Sequence, residues 1–166
     1  MQLSPVRSNA LTVDVEDYFH VAAFDATVSP DQWADLPQRV ARNTEILLQQ
    51  FDQHQAKATF FILGWVAQRH PDLVKRIHAA GHEVASHGFS HAKASVQTEA
   101  QFSDDVRKAK SLLEDIIGAE VTGYRAPSFS IGKTNEWAFA ALQQAGYLYS
   151  SSTYPVVHDL YGTPDW

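Results

Sequence analysis

Short apolar runs alternate along the chain with stretches in which apolar residues recur every three or four positions. Ala10-Leu11-Thr12-Val13 opens the series as a strand. Val40, Thr44, Leu47, Leu48 and Phe51 are spaced for one buried helical face, and the β-branched and aromatic run Lys57-Ala58-Thr59-Phe60-Phe61-Ile62-Leu63 reads as a buried strand. Pro71 suits the first turn of a helix carrying Leu73, Val74 and Ile77, and Gly81 suits its stop. Glu83-Val84-Ala85-Ser86 is a third strand. Thr98-Glu99-Ala100-Gln101 is a capping box, and the helix it opens runs through Phe102, Val106, Ala109, Leu113 and Ile116 to Gly118. Glu120-Val121-Thr122-Gly123-Tyr124 is the fourth strand. A last helix, with Trp137, Ala138, Ala141, Leu142 and Ala145, stops at Gly146 and leads into a fifth strand, Tyr147-Leu148-Tyr149-Ser150-Ser151.

This alternation predicts an α/β fold, a parallel sheet with right-handed crossovers, in one domain spanning residues 1–166. Every strand then ends on the same side. The rim so formed collects Asp14, Glu16, Asp17, Gly64, His87, His91, Arg125 and the stretch from Ser150 to Ser152. The long connection after the first strand, through Tyr18, Phe24, Pro30, Trp33 and Pro37, is of a length often reserved for function.

Two groups on that rim carry chemistry. Asp14-Val15-Glu16-Asp17 closes the first strand, and His87-Gly88-Phe89-Ser90-His91 closes the third. A His-x-x-x-His pair alone is common in solvated loops, and acidic residues after a strand are often a plain turn. Both groups closing apolar runs at strand ends, where α/β folds build their sites, favours a metal centre with mixed nitrogen and oxygen ligands. The chain has no cysteine, so ligands must come from histidine and carboxylate. A net charge of −6 without a basic patch argues against nucleic acid, and no apolar run is long enough to span a bilayer. Met1 to Asn9 lacks the apolar segment of a signal peptide, which leads to an expectation of a cytoplasmic protein. The other histidines, His20, His54, His70, His78 and His82, read as loop, helix-end or structural residues. Trp65 reads equally as a groove-lining or a core residue, and Ser128 and Ser130 lack an evident general base.

Three phrases resemble the motifs of the carbohydrate esterase family 4 polysaccharide deacetylases, which share the NodB homology domain. They are Thr12-Val13-Asp14-Val15-Glu16-Asp17, Ser86-His87-Gly88-Phe89-Ser90-His91 and Gly123-Tyr124-Arg125-Ala126-Pro127-Ser128. The run of Val-Asp-Val-Glu-Asp-Tyr-Phe, Ala-Thr-Phe-Phe-Ile-Leu-Gly-Trp, Gly-His-Glu-Val-Ala-Ser-His-Gly and Tyr-Arg-Ala-Pro-Ser-Phe-Ser is similar to the branch associated with bacterial exopolysaccharide and exosortase-type gene clusters.

The resemblance implies a deformed (β/α) barrel and hydrolysis of N-acetyl groups on the hexosamines of a polysaccharide, with a divalent metal, zinc first among candidates. It implies Asp14 as catalytic base, Arg125 as the residue that holds it, and His87 and His91 as ligands. Relatives with an Asp-x-Asp or Asp-x-Glu form make Glu16 the carboxylate ligand, as strand alternation also favours, with Asp17 as rival. The oxyanion is expected against the metal and a backbone N–H between Tyr124 and Ala126. The family's final motif, which carries the catalytic acid, has no counterpart before Trp166, so the expectation is a C-terminally truncated domain. His158 reads as a loop or substrate-contacting residue rather than a replacement acid. The alternatives are an inactive carbohydrate-binding remnant and an amidase acting on a small cyclic amide.

Overall fold

The computed structural model describes residues 9–158, 161–164 and 166. The N-terminal residues 1–8, on which the signal-peptide expectation rests, lie outside them. Five strands, β1 (Thr12–Val15), β2 (Thr59–Ile62), β3 (Glu83–Ser86), β4 (Gly123–Tyr124) and β5 (Tyr149–Ser150), form one parallel sheet in chain order. The crossovers carry α1 (Val40–Gln53), α2 (Gly64–Arg69) with α3 (Pro71–Ala79), α4 (Glu99–Ile117) and α5 (Trp137–Gln144). Right-handed crossovers in unbroken chain order put all helices on one face, the winding of a barrel wall.

Strand alternation sorts side chains between the two faces. Val13, Val15, Phe60, Ile62 and Val84 pack into the cluster that holds Val66, Leu73, Val74, Ile77, Val106 and Leu113 from the helices. Asp14, Phe61 and Ala85, paired in one row across β1 to β3, point the opposite way, to the concave face. Arg125, just past β4, lies over the Phe61 ring at 4.1 Å and reaches Asp14 on β1. In a flat sheet β1 and β4 would stand roughly 14 Å apart, so this ion pair needs a strongly curved one.

Several elements depart from the sequence reading. β1 ends two residues later than expected, which places Asp14 inside the strand and Glu16 one step beyond it. β4 is shorter because the backbone of Val121 bonds to α4 side chains instead of a neighbouring strand: its N–H donates to Glu114 Oε1 (3.0 Å) and its carbonyl accepts from Lys110 Nζ. Leu47, assigned to the buried face of α1, is 37% exposed, while Val40, Thr44 and Leu48 are buried. α2 was not foreseen. Its first two amides donate to loop carbonyls, Gly64 N–H to Gly88 (2.8 Å) and Trp65 N–H to Phe89 (3.0 Å). Glycine permits that approach, since a Cβ at position 64 would meet Phe89 Cδ2 at 2.5 Å. The long connection after β1 contains three short 3-10 turns and buries Trp33. No helix among the described residues is long and apolar enough to cross a membrane.

Candidate metal centre

The site grows from a single row of the sheet. Val15, Ile62, Ser86, Tyr124 and Ser150 are aligned across the five strands, so the next residue of each strand, Glu16, Leu63, His87, Arg125 and Ser151, stands on the rim. The amides of Leu63, His87, Arg125 and Ser151 still donate to the preceding row at 2.8–3.3 Å, which makes the rim as rigid as the sheet. The fold therefore sets Glu16, His87 and Arg125 side by side although they are far apart in the chain.

Glu16 Oε2 lies 2.6 Å from Nε2 of His91 and 3.6 Å from Nε2 of His87. One ligand atom from each of the three residues falls within 4.8 Å of the others. Ligands about 2.0–2.1 Å from a tetrahedral zinc stand roughly 3.4 Å apart, so the spacing accommodates such an ion with little adjustment. Glu16 Oε2 is buried against these two imidazole nitrogens. An unsatisfied anionic oxygen beside two imidazole nitrogens is the donor set a cation would satisfy. His87 Nδ1 faces the Arg125 carbonyl oxygen at 2.8 Å, which leaves Nε2 for the site. Burial pushes the His87 imidazole pKa down, against the opposing pull of Asp14 and Glu16. Burial alone would raise the Glu16 carboxyl, but His91, His87 and His20 outweigh it and hold it below its usual value. A neutral imidazole and an ionised carboxylate are the metal-binding forms.

Asp14 sits at the edge of this group. Its Oδ1 accepts from Arg125 Nη1 at 2.7 Å, and Arg125 is fixed in turn by Ser151 Oγ (2.9 Å from Nη2), Thr12 Oγ1 (3.2 Å) and the Phe61 ring. Asp14, Glu16, His87 and His91 line one cavity of about 350 Å³ together with Phe129 and Tyr161.

Asp17, expected as the rival of Glu16 for the metal, stands outside the cluster. Strand alternation turns it inward, where its carboxylate accepts from the amides of Tyr18 (3.0 Å), Arg39 (2.6 Å) and Val40 (2.9 Å). It ties the rim to the N-terminus of α1, a favourable place for an anion. Asp17→Asn is expected to lower stability by about 2 kcal/mol, roughly 4–8 °C in Tm, and to leave zinc affinity unchanged, whereas Glu16→Gln weakens zinc and spares Tm. Thermal melts beside zinc titrations of both variants test this; the reverse ranking would return Asp17 to the ligand set.

The structure narrows the backbone amides expected to face an oxyanion. The Arg125 amide donates to Ser86 O and the Ala126 amide to Ser152 Oγ, both at 2.9 Å, so neither is free for substrate. His20, read as a loop residue, is 1% exposed: its Nδ1 accepts from the Asp17 amide (2.8 Å), and its ring packs edge-on to Trp33 and Trp65. Burial, with His91 close by, pushes its pKa down to about 4. Trp65 belongs to that aromatic group, with the Arg69 guanidinium 3.8 Å over its ring. His82 is structural, accepting from the Ala58 amide between Phe51 and Phe60. His158 stacks on Tyr161 with ring centroids 3.9 Å apart.

Residues 23–150 match the family described as polysaccharide deacetylase. The chain belongs to that family. The match begins after Asp14 and Glu16, whose place beside the histidines rests on geometry. A peptidoglycan-N-acetylglucosamine deacetylase of Bacillus cereus is 34% identical over 104 residues, 63% of this chain and 38% of the relative. Among solved structures, a putative polysaccharide deacetylase of Mycobacterium smegmatis superposes with a TM-score of 0.71 at 26% identity, covering 90% of this chain and 52% of its own. The polysaccharide deacetylase Bc1974 of Bacillus cereus gives 0.63 at 28%, covering 85% and 57%. The chain spans less than half the length of the curated relatives it matches.

Proposed function

We propose that this chain carries the metal-binding and base-bearing part of an N-deacetylase that hydrolyses acetamido groups on the N-acetylhexosamine units of a bacterial polysaccharide. The observation that carries the reading is the convergence of His87 and His91 on one buried oxygen of Glu16, beside an Asp14 clamped by Arg125. Glu16, His87 and His91 would hold the divalent ion, zinc being the first choice for two imidazoles and a carboxylate. When bound, such an ion supplies Lewis acidity toward carbonyl and water oxygens. Asp14 would take the proton of the attacking water and pass it to the leaving nitrogen as the C–N bond breaks, and Arg125 keeps that carboxylate in one orientation. Relatives named as peptidoglycan deacetylases support an N-acetylglucosamine polymer, and the ordered sequence phrases support an exopolysaccharide as the polymer served. The grouping of Glu16, His87 and His91 beside the Asp14–Arg125 pair supports this reading over an inactive remnant.

The test is acetate release from N-acetylglucosamine oligomers by purified protein, with zinc supplied and then chelated, beside elemental analysis. Chelator-sensitive release is expected. Release that survives full metal removal would end the metal-dependent reading, protein that neither binds zinc nor releases acetate would end the deacetylase reading, and zinc-loaded protein that releases nothing would show that these residues alone do not suffice for turnover.

A further inference from the structure

The second histidine of the pair stands on a loop whose conformation is costly. His91 has φ +56° and Gly88 φ +76°, so two of the five residues from His87 to His91 are left-handed, one of them without glycine's freedom. A histidine stays in that region only where its surroundings impose it. His87 is held by the sheet, but His91 lies four residues beyond, and its place depends on what grips the backbone in between.

That grip comes from Asp105, on α4, which the sequence reading passed over. Asp105 Oδ2 accepts from the Phe89 amide at 2.7 Å, and Oδ1 accepts from the Ser90 amide at 3.1 Å and from the Ser90 hydroxyl at 2.6 Å. The carboxylate comes so close to Gly88 that a Cβ there would stand 2.9 Å from Oδ2. Lys108, three residues further along the same helical face, sets its Nζ 3.4 Å from the centroid of the Phe89 ring. From the other side, the first amides of α2 donate to the carbonyls of Gly88 and Phe89. Loop donors thus turn to α4 and loop acceptors to α2, and His91 leaves the clamp aimed at Glu16.

We propose that Asp105 is a positioning residue for the metal centre: by fixing Phe89 and Ser90 it sets His91 Nε2 against Glu16, and so sets metal affinity without touching metal or substrate. The inference rests on the metal-binding reading above. Charged acceptors form the stronger hydrogen bonds, and an amide in this place can accept but must also turn its own NH₂ toward donors. Groups that orient metal ligands typically change affinity about 10–100-fold when altered.

The experiment is zinc affinity of Asp105→Asn and Ser90→Ala, by competition with a chromogenic chelator, beside Tm and amide exchange at Phe89 and Ser90 in metal-free protein. Asp105→Asn is expected to bind zinc about 10–100-fold more weakly and to exchange those amides faster. Ser90→Ala, which keeps the carboxylate and loses one of three donors, is expected to bind about fivefold more weakly with little change in Tm. At saturating zinc, KM for an N-acetylglucosamine oligomer stays at its wild-type value, since Asp105 meets no substrate. Asp104→Asn, next to it but exposed and facing Arg107, serves as the control and leaves zinc affinity unchanged. Should Asp105→Asn fail to fold, Ser90→Ala decides. Wild-type zinc binding with unchanged affinity in every folded loop variant would overturn this inference alone; a wild-type protein that binds no zinc would overturn the metal reading and this inference together.

Discussion

Replacing Asp14 by asparagine is expected to lower acetate release by about 10²–10⁴-fold while zinc remains bound, the range that loss of a positioned general base produces. The substitution is close to isosteric. Its oxygen can still accept from Arg125, 2.7 Å away in the native pair, and the other partners of the guanidinium, Ser151, Thr12 and the Phe61 ring, are untouched. What disappears is the capacity to take a proton. Because Asp14 lies inside β1, paired with Phe61, the backbone has no reason to move. Kinetics of Asp14→Asn beside its zinc stoichiometry make the test: near-native turnover would remove Asp14 as the base, and loss of zinc would make it a ligand instead.

Loss of either histidine should act on the metal first. Structural zinc sites release about 10–16 kcal/mol on binding, so one ligand among four commands a share worth about 100-fold or more in affinity. His87→Ala and His91→Ala are therefore expected to yield protein without stoichiometric zinc after dialysis, and no acetate release. The two variants should differ in a second respect. His87 is bonded through Nδ1 to the Arg125 carbonyl, next to the arginine that clamps Asp14, so its removal also opens a buried cavity on the rim. His91 stands on the loop, and its truncation relaxes a φ of +56° without opening the sheet. A larger fall in Tm for His87→Ala than for His91→Ala is expected. Stoichiometric zinc in both variants would discard the site.

The parallel sheet explains why the residues of the candidate site could be placed together from the sequence alone. A strand of a parallel sheet reveals itself by composition, and its C-terminal end must meet the other C-terminal ends, so Asp14, Glu16, His87, His91 and Arg125 could be assigned to one rim before any coordinates. The capping box at Thr98 and the stop at Gly118 are local in the same sense: Thr98 Oγ1 accepts from the Gln101 amide, and Gly118 takes φ +66°. The departures come where distant groups compete for a backbone. Val121 could have extended β4, but Glu114 and Lys110 occupied its N–H and carbonyl. Asp17 could have served the metal as well as Glu16 by composition, but the amides of Arg39 and Val40, more than twenty positions away, claimed its oxygens.

The sequence by itself determined the alternation of strands and helices, the α/β class, and the chemical type of the candidate ligands, because periodicity, caps and side-chain identity are properties of neighbours in the chain. Only the tertiary structure decided that Glu16 rather than Asp17 faces the histidines, that Arg125 crosses the curved sheet to Asp14, that His20 is sealed among indole rings, and that Asp105 grips the loop of His91. Each of these depends on contacts between segments distant in the chain, and curvature of the sheet and packing of helices against it settle which of them meet.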